Sequence, residues 1–226
     1  MQQLRRSYIF EFAGMPQSGK TTVIDILVHY LKRMEYPFAE YNGGSRYSPY
    51  YHKPIGELNW SLAEQAEKFA RSILGSENTD HKIYLLDRGL IDRCIFTDAL
   101  VQDGKIPEKQ AERIYGLLTT SELLDRLDEV FIFITSPETA IEREYQGKLI
   151  KPGDALSQGE VMNKDFLLKL KKAAKVRNFW AMEHVKNIEL INTEQFDEDM
   201  QAIAMNILIT IQNRYPELVK PYTGNS

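Results

Sequence analysis

Tyr8-Ile9-Phe10-Glu11-Phe12-Ala13-Gly14-Met15-Pro16-Gln17-Ser18-Gly19-Lys20-Thr21-Thr22 is the stretch from which the rest of the chain is read. Gly14 and Gly19 stand five residues apart and are followed by Lys20 and Thr21, which is the P-loop pattern. Each position has a chemical reason. Backbone N–H groups at a helix N-terminus cradle phosphate oxygens, an ammonium reaches the β and γ oxygens, and a hydroxyl holds Mg²⁺. The flanks have the order such a loop requires. Residues 8–13 form an apolar strand, and Val23, Ile24, Ile26, Leu27, Tyr30, Leu31 and Met34 recur at helical spacing. The motif therefore points to a phosphate-handling enzyme whose donor nucleotide lies along Gly14, Met15, Pro16, Gln17, Ser18, Gly19, Lys20, Thr21 and Thr22.

Composition bounds the alternatives. A chain of 226 residues with 43% hydrophobic content fits one α/β domain with a sizeable core. A net charge of −4 with interspersed signs gives no basic field for polymeric nucleic acid. Cys94 is the only cysteine, so an intrachain disulfide and a cysteine-rich zinc site are excluded, and a reducing, cytoplasmic setting suits the chain. His29, His52, His81 and His184 share no metal-ligand spacing. The apolar run after Arg5 and Arg6 contains Glu11 and flows into the glycine loop, which reads as a strand and not a signal peptide. No stretch approaches the eighteen or so apolar residues of a membrane span; the most apolar run, 130–134, has strand length. A soluble protein with no membrane partner is expected.

Strands are predicted at 7–13, 37–41, 82–87, 129–135 and 187–192. Helices are predicted at 20–35, 57–75, 89–102, 108–127, 137–145, 158–184 and 197–214. This alternation implies a three-layer α/β fold: a mostly parallel five-stranded sheet with helices on both faces. Ser136-Pro137 has the pattern of a helix start, as does Ser157 with Glu160. Two segments interrupt the alternation, 42–56 with its Gly43-Gly44 and tyrosines, and about 144–156 with Gly147, Pro152 and Gly153; both are candidate ligand loops. The whole chain, 1–226, reads as one domain with a frayed tail after residue 215. Lysines 164, 169, 171, 172 and 175 with Arg177 read as a solvated helix face.

The strand Lys82-Ile83-Tyr84-Leu85-Leu86 ends in Asp87-Arg88-Gly89, at the sheet edge where open α/β folds bind ligands. An acidic residue ending an apolar strand can orient Mg²⁺ together with Thr21, and an adjacent guanidinium can stabilise phosphate charge.

Asp87 to Phe96, followed by Ala99-Leu100 and Gly104, resembles the segment after the third strand of the deoxynucleoside kinases. It is similar also to the Asp-Arg motif of the thymidylate kinases. Phe131 to Arg143 resembles the strand, Ser-Pro-Glu turn and arginine-ending helix that lead into the lid of the same kinases. The resemblance covers about residues 7 to 180. It implies ATP and Mg²⁺ as cofactors and a nucleoside or nucleoside monophosphate as acceptor. It further implies Glu40 as base toward a 5′-hydroxyl, Arg88 as its partner, and Arg143, with Lys148 and Lys151 beyond it, as the basic side of a lid. Lid closure excludes water from the transferring phosphoryl. The catalytic set is then Lys20, Glu40, Asp87, Arg88 and Arg143, and a homodimer is one assembly left open. Tyr41-Asn42 after the glutamate, Gly89, and the early register of Asp92-Arg93 depart from the family pattern and bear on the acceptor more than on phosphoryl transfer.

In the loop after the second strand, a monophosphate acceptor would take Arg46 as its clamp, with Tyr47 and the neighbouring rings as stacking surfaces. Trp60 is equally a core residue or a pocket wall, and Asn192-Thr193 stands where P-loop kinases often contact adenine. Two other functions stay open: a kinase of a different hydroxyl-bearing metabolite, and a nucleotide-binding switch or accessory module. The absence of an Asn-Lys-x-Asp sequence argues against a GTPase.

Overall fold

A computed structural model describes residues 6–45, 48–80, 82–148, 160–194, 200–216 and 218. The elements run β1 (Tyr8–Gly14), α1 (Lys20–Arg33), β2 (Phe38–Asn42), α2 (Ile55–Asp80), β3 (Ile83–Asp87), α3 (Leu90–Gln102), α4 (Glu108–Leu118) and α5 (Ser121–Leu124). They continue with β4 (Glu129–Ile134), α6 (Pro137–Lys148), α7 (Lys164–His184), β5 (Ile188–Asn192) and α8 (Met200–Arg214). The five strands form one parallel sheet in the order β2-β3-β1-β4-β5.

Strand alternation divides the core into two layers. Ile9, Ala13, Tyr84, Leu86, Ile132 and Ile134 face α2, α3, α4 and α7. Tyr8, Phe10, Phe12, Leu85, Phe131 and Phe133 face α1 and α8. The register then aligns the strand ends that carry chemistry: Phe12 and Asn42 both pair with Asp87, and Gly14 pairs with Phe133.

All five strands lie within a residue or so of their expected positions, and four helix expectations need correction, one of them 137–145, which continues to Lys148 over the first residues of the expected lid. The span 108–127 is broken, because Thr120 is extended (φ −67°, ψ 142°) and its carbonyl starts α5 by accepting from Leu123 and Leu124 N–H. The helix expected from 158 starts at Lys164, where Asn163 accepts the Phe166 N–H at 2.9 Å. Glu160 precedes that helix, and Ser157 lies outside the described residues. The helix expected at 57–75 extends over Ile55–Asp80. Ser136 does cap α6, its Oγ accepting the Thr139 N–H at 3.0 Å. No helix among the described residues is long and apolar enough to cross a membrane.

Candidate active site

The carboxyl ends of β1, β2 and β3 open onto a cavity of about 560 Å³. One wall is the glycine loop and first turn of α1, Pro16 to Thr22. The floor holds Asp87, Arg88 and Arg93, and the far chamber is lined by Leu58, Asn59, Leu62, Phe96, Leu100 and Met162.

Gly14 and Gly19 shape the loop through left-handed backbone, with φ of 111° and 87°. A Cβ on Gly14 would stand 2.2 Å from the Phe133 carbonyl oxygen, so only glycine lets the loop leave β1 against β4. Gly14 and Met15 do not line the cavity; Met15 is fully buried in the core and its N–H bonds to Phe133 O at 3.0 Å. The loop's part of the cavity wall therefore begins at Pro16, and the two preceding residues are its backbone support.

Lys20 Nζ donates to Gly14 O and Ser18 Oγ, both at 3.2 Å, and also to Met15 O. Burial, with Arg88 adding like charge, lowers its pKa to about 7, against the pull of Asp92 and Asp87. The negative charge of a phosphate beside the ammonium would oppose both causes. Thr21 Oγ1 donates to Asp87 Oδ2 at 2.8 Å, which joins the first turn of α1 to the end of β3. Two hard oxygen donors at one point suit Mg²⁺, whose remaining positions are usually filled by water and phosphate. No cluster of three or more His, Cys, Asp or Glu suited to a metal exists among the described residues.

Arg88 has φ 71°, rare for a residue other than glycine, and its carbonyl lies where a Cβ on Gly43 would be 2.2 Å away. That close crossing of the β2 and β3 ends directs the guanidinium inward, where Nη1 meets Asp92 Oδ2 at 3.3 Å and Gly14 O at 3.5 Å. Arg93 also pairs with Asp92. Both guanidiniums lie over the Phe96 ring, at 5.2 and 4.8 Å from its centroid. Burial alone would raise the Asp92 pKa, but Arg88, Arg93 and Lys20 hold it below the usual carboxylate range.

Several expected residues lie elsewhere. Glu40 is exposed on the edge strand and does not line the cavity. The cause is strand parity: Ala39 and Tyr41 pack toward α2, with Tyr41 stacked 4.4 Å from Phe69, whereas Phe38 and so Glu40 take the α1 face. Arg143 is also absent from the lining. Its guanidinium bonds to Gln17 O at 3.2 Å and Thr193 O at 3.1 Å, bridging α6, the glycine loop and the end of β5. Arg46, Tyr47 and Lys151 lie outside the described residues, as do residues 149–156 of the expected lid. Tyr50 and Tyr51 are exposed, so the aromatic surface of the chamber is Phe96. Trp60 packs against the core. In α7, Lys169 pairs with Asp103 and Arg177 holds Asp98, so the basic run is only partly a solvated face.

Sequence reasoning passed over Glu11, Asn59 and the structural part played by Asp92. Glu11 is fully buried in β1 and accepts N–H groups of Gly89 (3.1 Å), Ile91 (3.2 Å) and Asp92 (2.8 Å). Burial and the Asp92 charge push its carboxyl up to about 7 despite those three donors. The signal was present: a charged residue inside an otherwise apolar parallel strand needs a buried partner.

The parallel five-stranded sheet and its glycine loop define a three-layer α/β fold with a P-loop. Among solved structures the chain is similar to a deoxyadenosine kinase from M. mycoides with dCMP and dCDP bound. They share 14% identity at a TM-score of 0.67 over 91% of this chain and 99% of that one. The same enzyme with bound dATP aligns at 17% identity and TM-score 0.62, over 89% and 99% of the two chains. Thymidylate kinase from Candida albicans aligns at 14% identity and TM-score 0.64, over 95% and 94%. No family model and no curated protein matches the sequence.

Proposed function

We propose that the chain is an ATP- and Mg²⁺-dependent kinase that transfers the γ-phosphoryl group to a nucleoside or nucleoside monophosphate. One observation carries this reading: a single cavity joins the Pro16–Thr22 wall, across Asp87, Arg88 and Arg93, to a chamber lined by Leu58, Leu62, Phe96 and Leu100.

In this mechanism the loop amides and Lys20 hold the donor's terminal phosphates, and Thr21 with Asp87 would hold Mg²⁺. Once bound, the metal would supply neutralisation of phosphate charge. Arg88 and Arg93 converge on the acceptor end and orient the attacking oxygen for in-line transfer. The bond from γ-phosphorus to the bridging oxygen breaks, the bond to the acceptor oxygen forms, and ADP leaves. Arg143 steadies Gln17 and, through Thr193, links the loop to the end of β5.

The acceptor end favours a phosphate-bearing acceptor. A 5′-hydroxyl needs a base, whereas a phosphate oxygen is already ionised at neutral pH. The carboxylates among the described lining residues are Asp87, bonded to Thr21, and Glu144, which contacts Gln17 on the donor side. Two guanidiniums share one carboxylate, Asp92, which leaves positive charge for the acceptor.

The test is ADP release from ATP with nucleosides and nucleoside monophosphates as acceptors. Stimulation by either class supports the reading, and greater stimulation by monophosphates supports the acceptor preference. No stimulation by any member of either class overturns it.

A further inference from the structure

The inner side of α7 is set by Phe166, Leu167, Leu170, Ala173, Ala174 and Ala181, which enter the core where the helix packs on α3, α6, β4 and β5. On an ordinary amphipathic surface helix the opposite side is polar. Here it shows Leu168 at 48% exposure, Val176 at 56%, Phe179 at 70% and Met182 at 59%. Four large apolar side chains in one stripe differ from the scattered single residues of a monomer surface. No residue of α7 lines the cavity, so substrate binding does not account for them.

The charges on the same face narrow what fits it. Lys172 and Glu183 are exposed and make no ion pair among the described residues, whereas Lys169, Lys171 and Arg177, at the edges of the face, pair with Asp103, Glu194 and Asp98. Lys172, Val176, Phe179 and Glu183 are spaced by four, three and four residues, which puts all of them on one narrow stripe. Lys172 with Glu183, and Val176 with Phe179, are both centred between Arg177 and Asn178. A second α7 laid antiparallel about a two-fold axis at that point sets Lys172 of each copy against Glu183 of the other, and Val176 of each against Phe179 of the other. A parallel pairing would set like charges together. Sliding the antiparallel pair by one turn would set the charges against apolar side chains. Lys175 stands at the edge of the seam, where its ammonium stays in water.

We propose that this face of α7 is an interface with a second copy of the chain: an antiparallel, two-fold pair of α7 helices with Val176 and Phe179 at its centre and Lys172–Glu183 ion pairs at both ends. The interface is independent of the kinase reading. One helix from each copy covers less than the roughly 1,600 Å² of a standard interface, so the dimer is reversible, with an expected Kd of about 1–100 μM.

Sedimentation equilibrium of the full chain from about 1 to 300 μM tests this. Phe179→Glu should weaken association by about 100-fold or more, as loss of a central aromatic anchor does. Lys172→Glu or Glu183→Lys alone should weaken it by about 10-fold at low salt, and the double reversal should return it to within about threefold of the unmodified chain. Such rescue requires the two residues to meet across copies, because within one helix they stand eleven residues apart. Unchanged circular dichroism and melting temperature, expected at exposed positions, confine the comparison to association. If Phe179→Glu does not fold, Val176→Glu, in the same layer, decides on the same criterion. A chain that stays monomeric at about 300 μM overturns the proposal, as does a dimer indifferent to Phe179→Glu, whose interface lies on another face. Single reversals without effect, or a double reversal without rescue, overturn the antiparallel register and the proposal with it.

Discussion

Glu11 and Asp92 clasp each other's segments: Glu11 Oε1 accepts the Asp92 N–H at 2.8 Å, and Asp92 Oδ1 accepts the N–H of Gly14, at the end of the Glu11 strand, also at 2.8 Å. The first glycine of the P-loop is thereby fastened to the start of α3, the helix that carries Arg93. The glycine-loop wall of the cavity and the Arg93 that faces it are built on one crossing, the arrangement that the proposed transfer would need for positioning.

Asp92 is the link whose loss costs most, because it is fully buried and is the shared counter-charge of two guanidiniums. Asp92→Asn keeps the shape and removes the charge. Breaking one side of a buried ion pair costs about 3–5 kcal/mol. Urea unfolding should show a loss of that order, and a loss below about 1 kcal/mol would show that Arg88 and Arg93 do not depend on it.

The Glu11 carboxyl gives a pH signature. Its pKa rises from an ordinary 4.5 to about 7 on folding, so between those values the folded chain holds a proton that the unfolded chain releases. Its contribution to stability is complete below about pH 4.5 and is lost as pH rises through about 7, on the order of 3 kcal/mol at most. Glu11→Gln, which cannot titrate, should flatten the fall in melting temperature between pH 5 and 7.5 relative to the unmodified chain. An unchanged slope would place the titration elsewhere.

The strands and glycine loop were legible because each signal was local: an apolar run, a glycine spacing, a Ser-Pro helix start. The position of Asp87 and Arg88 at the end of β3, facing the cavity, was legible for the same reason, since strand end and charge are adjacent in sequence. Asn59 was not, because its place in the cavity wall depends on a bond to the Thr97 hydroxyl, thirty-eight residues away on another helix. Glu40 was misplaced by a rule that ignores strand parity: nearness to the strand end did not say which face of the sheet its side chain takes.

That misplacement is measurable. With Glu40 exposed and outside the cavity, Glu40→Gln should leave kcat/KM within about twofold, as surface substitutions usually do. Arg93→Gln, which removes a cavity guanidinium and unbalances Asp92, should lower kcat/KM by about 10²-fold, with KM for a phosphate-bearing acceptor carrying much of the loss. A hundredfold loss in Glu40→Gln would restore the base that the family resemblance implies.

Lys20 separates stability from catalysis. Its pKa falls from an ordinary 10.5 to about 7 on folding because burial disfavours the ammonium, and Arg88 adds to the penalty. The cost to the folded state is fully present below about pH 7 and disappears as pH rises to about 10.5, where the unfolded chain also loses the proton. Lys20→Met removes that cost. In nucleotide-free protein it should raise the melting temperature at pH 6 by roughly 2–4 °C per kcal/mol gained, with the gain fading by pH 10. On the kinase reading the same variant also loses the cation that would meet the transferring phosphates, so ADP release should fall by about 10²-fold or more. A variant that is more stable at pH 6 yet nearly inactive is the expected result; full turnover in Lys20→Met or Lys20→Ala would remove Lys20 from the donor site.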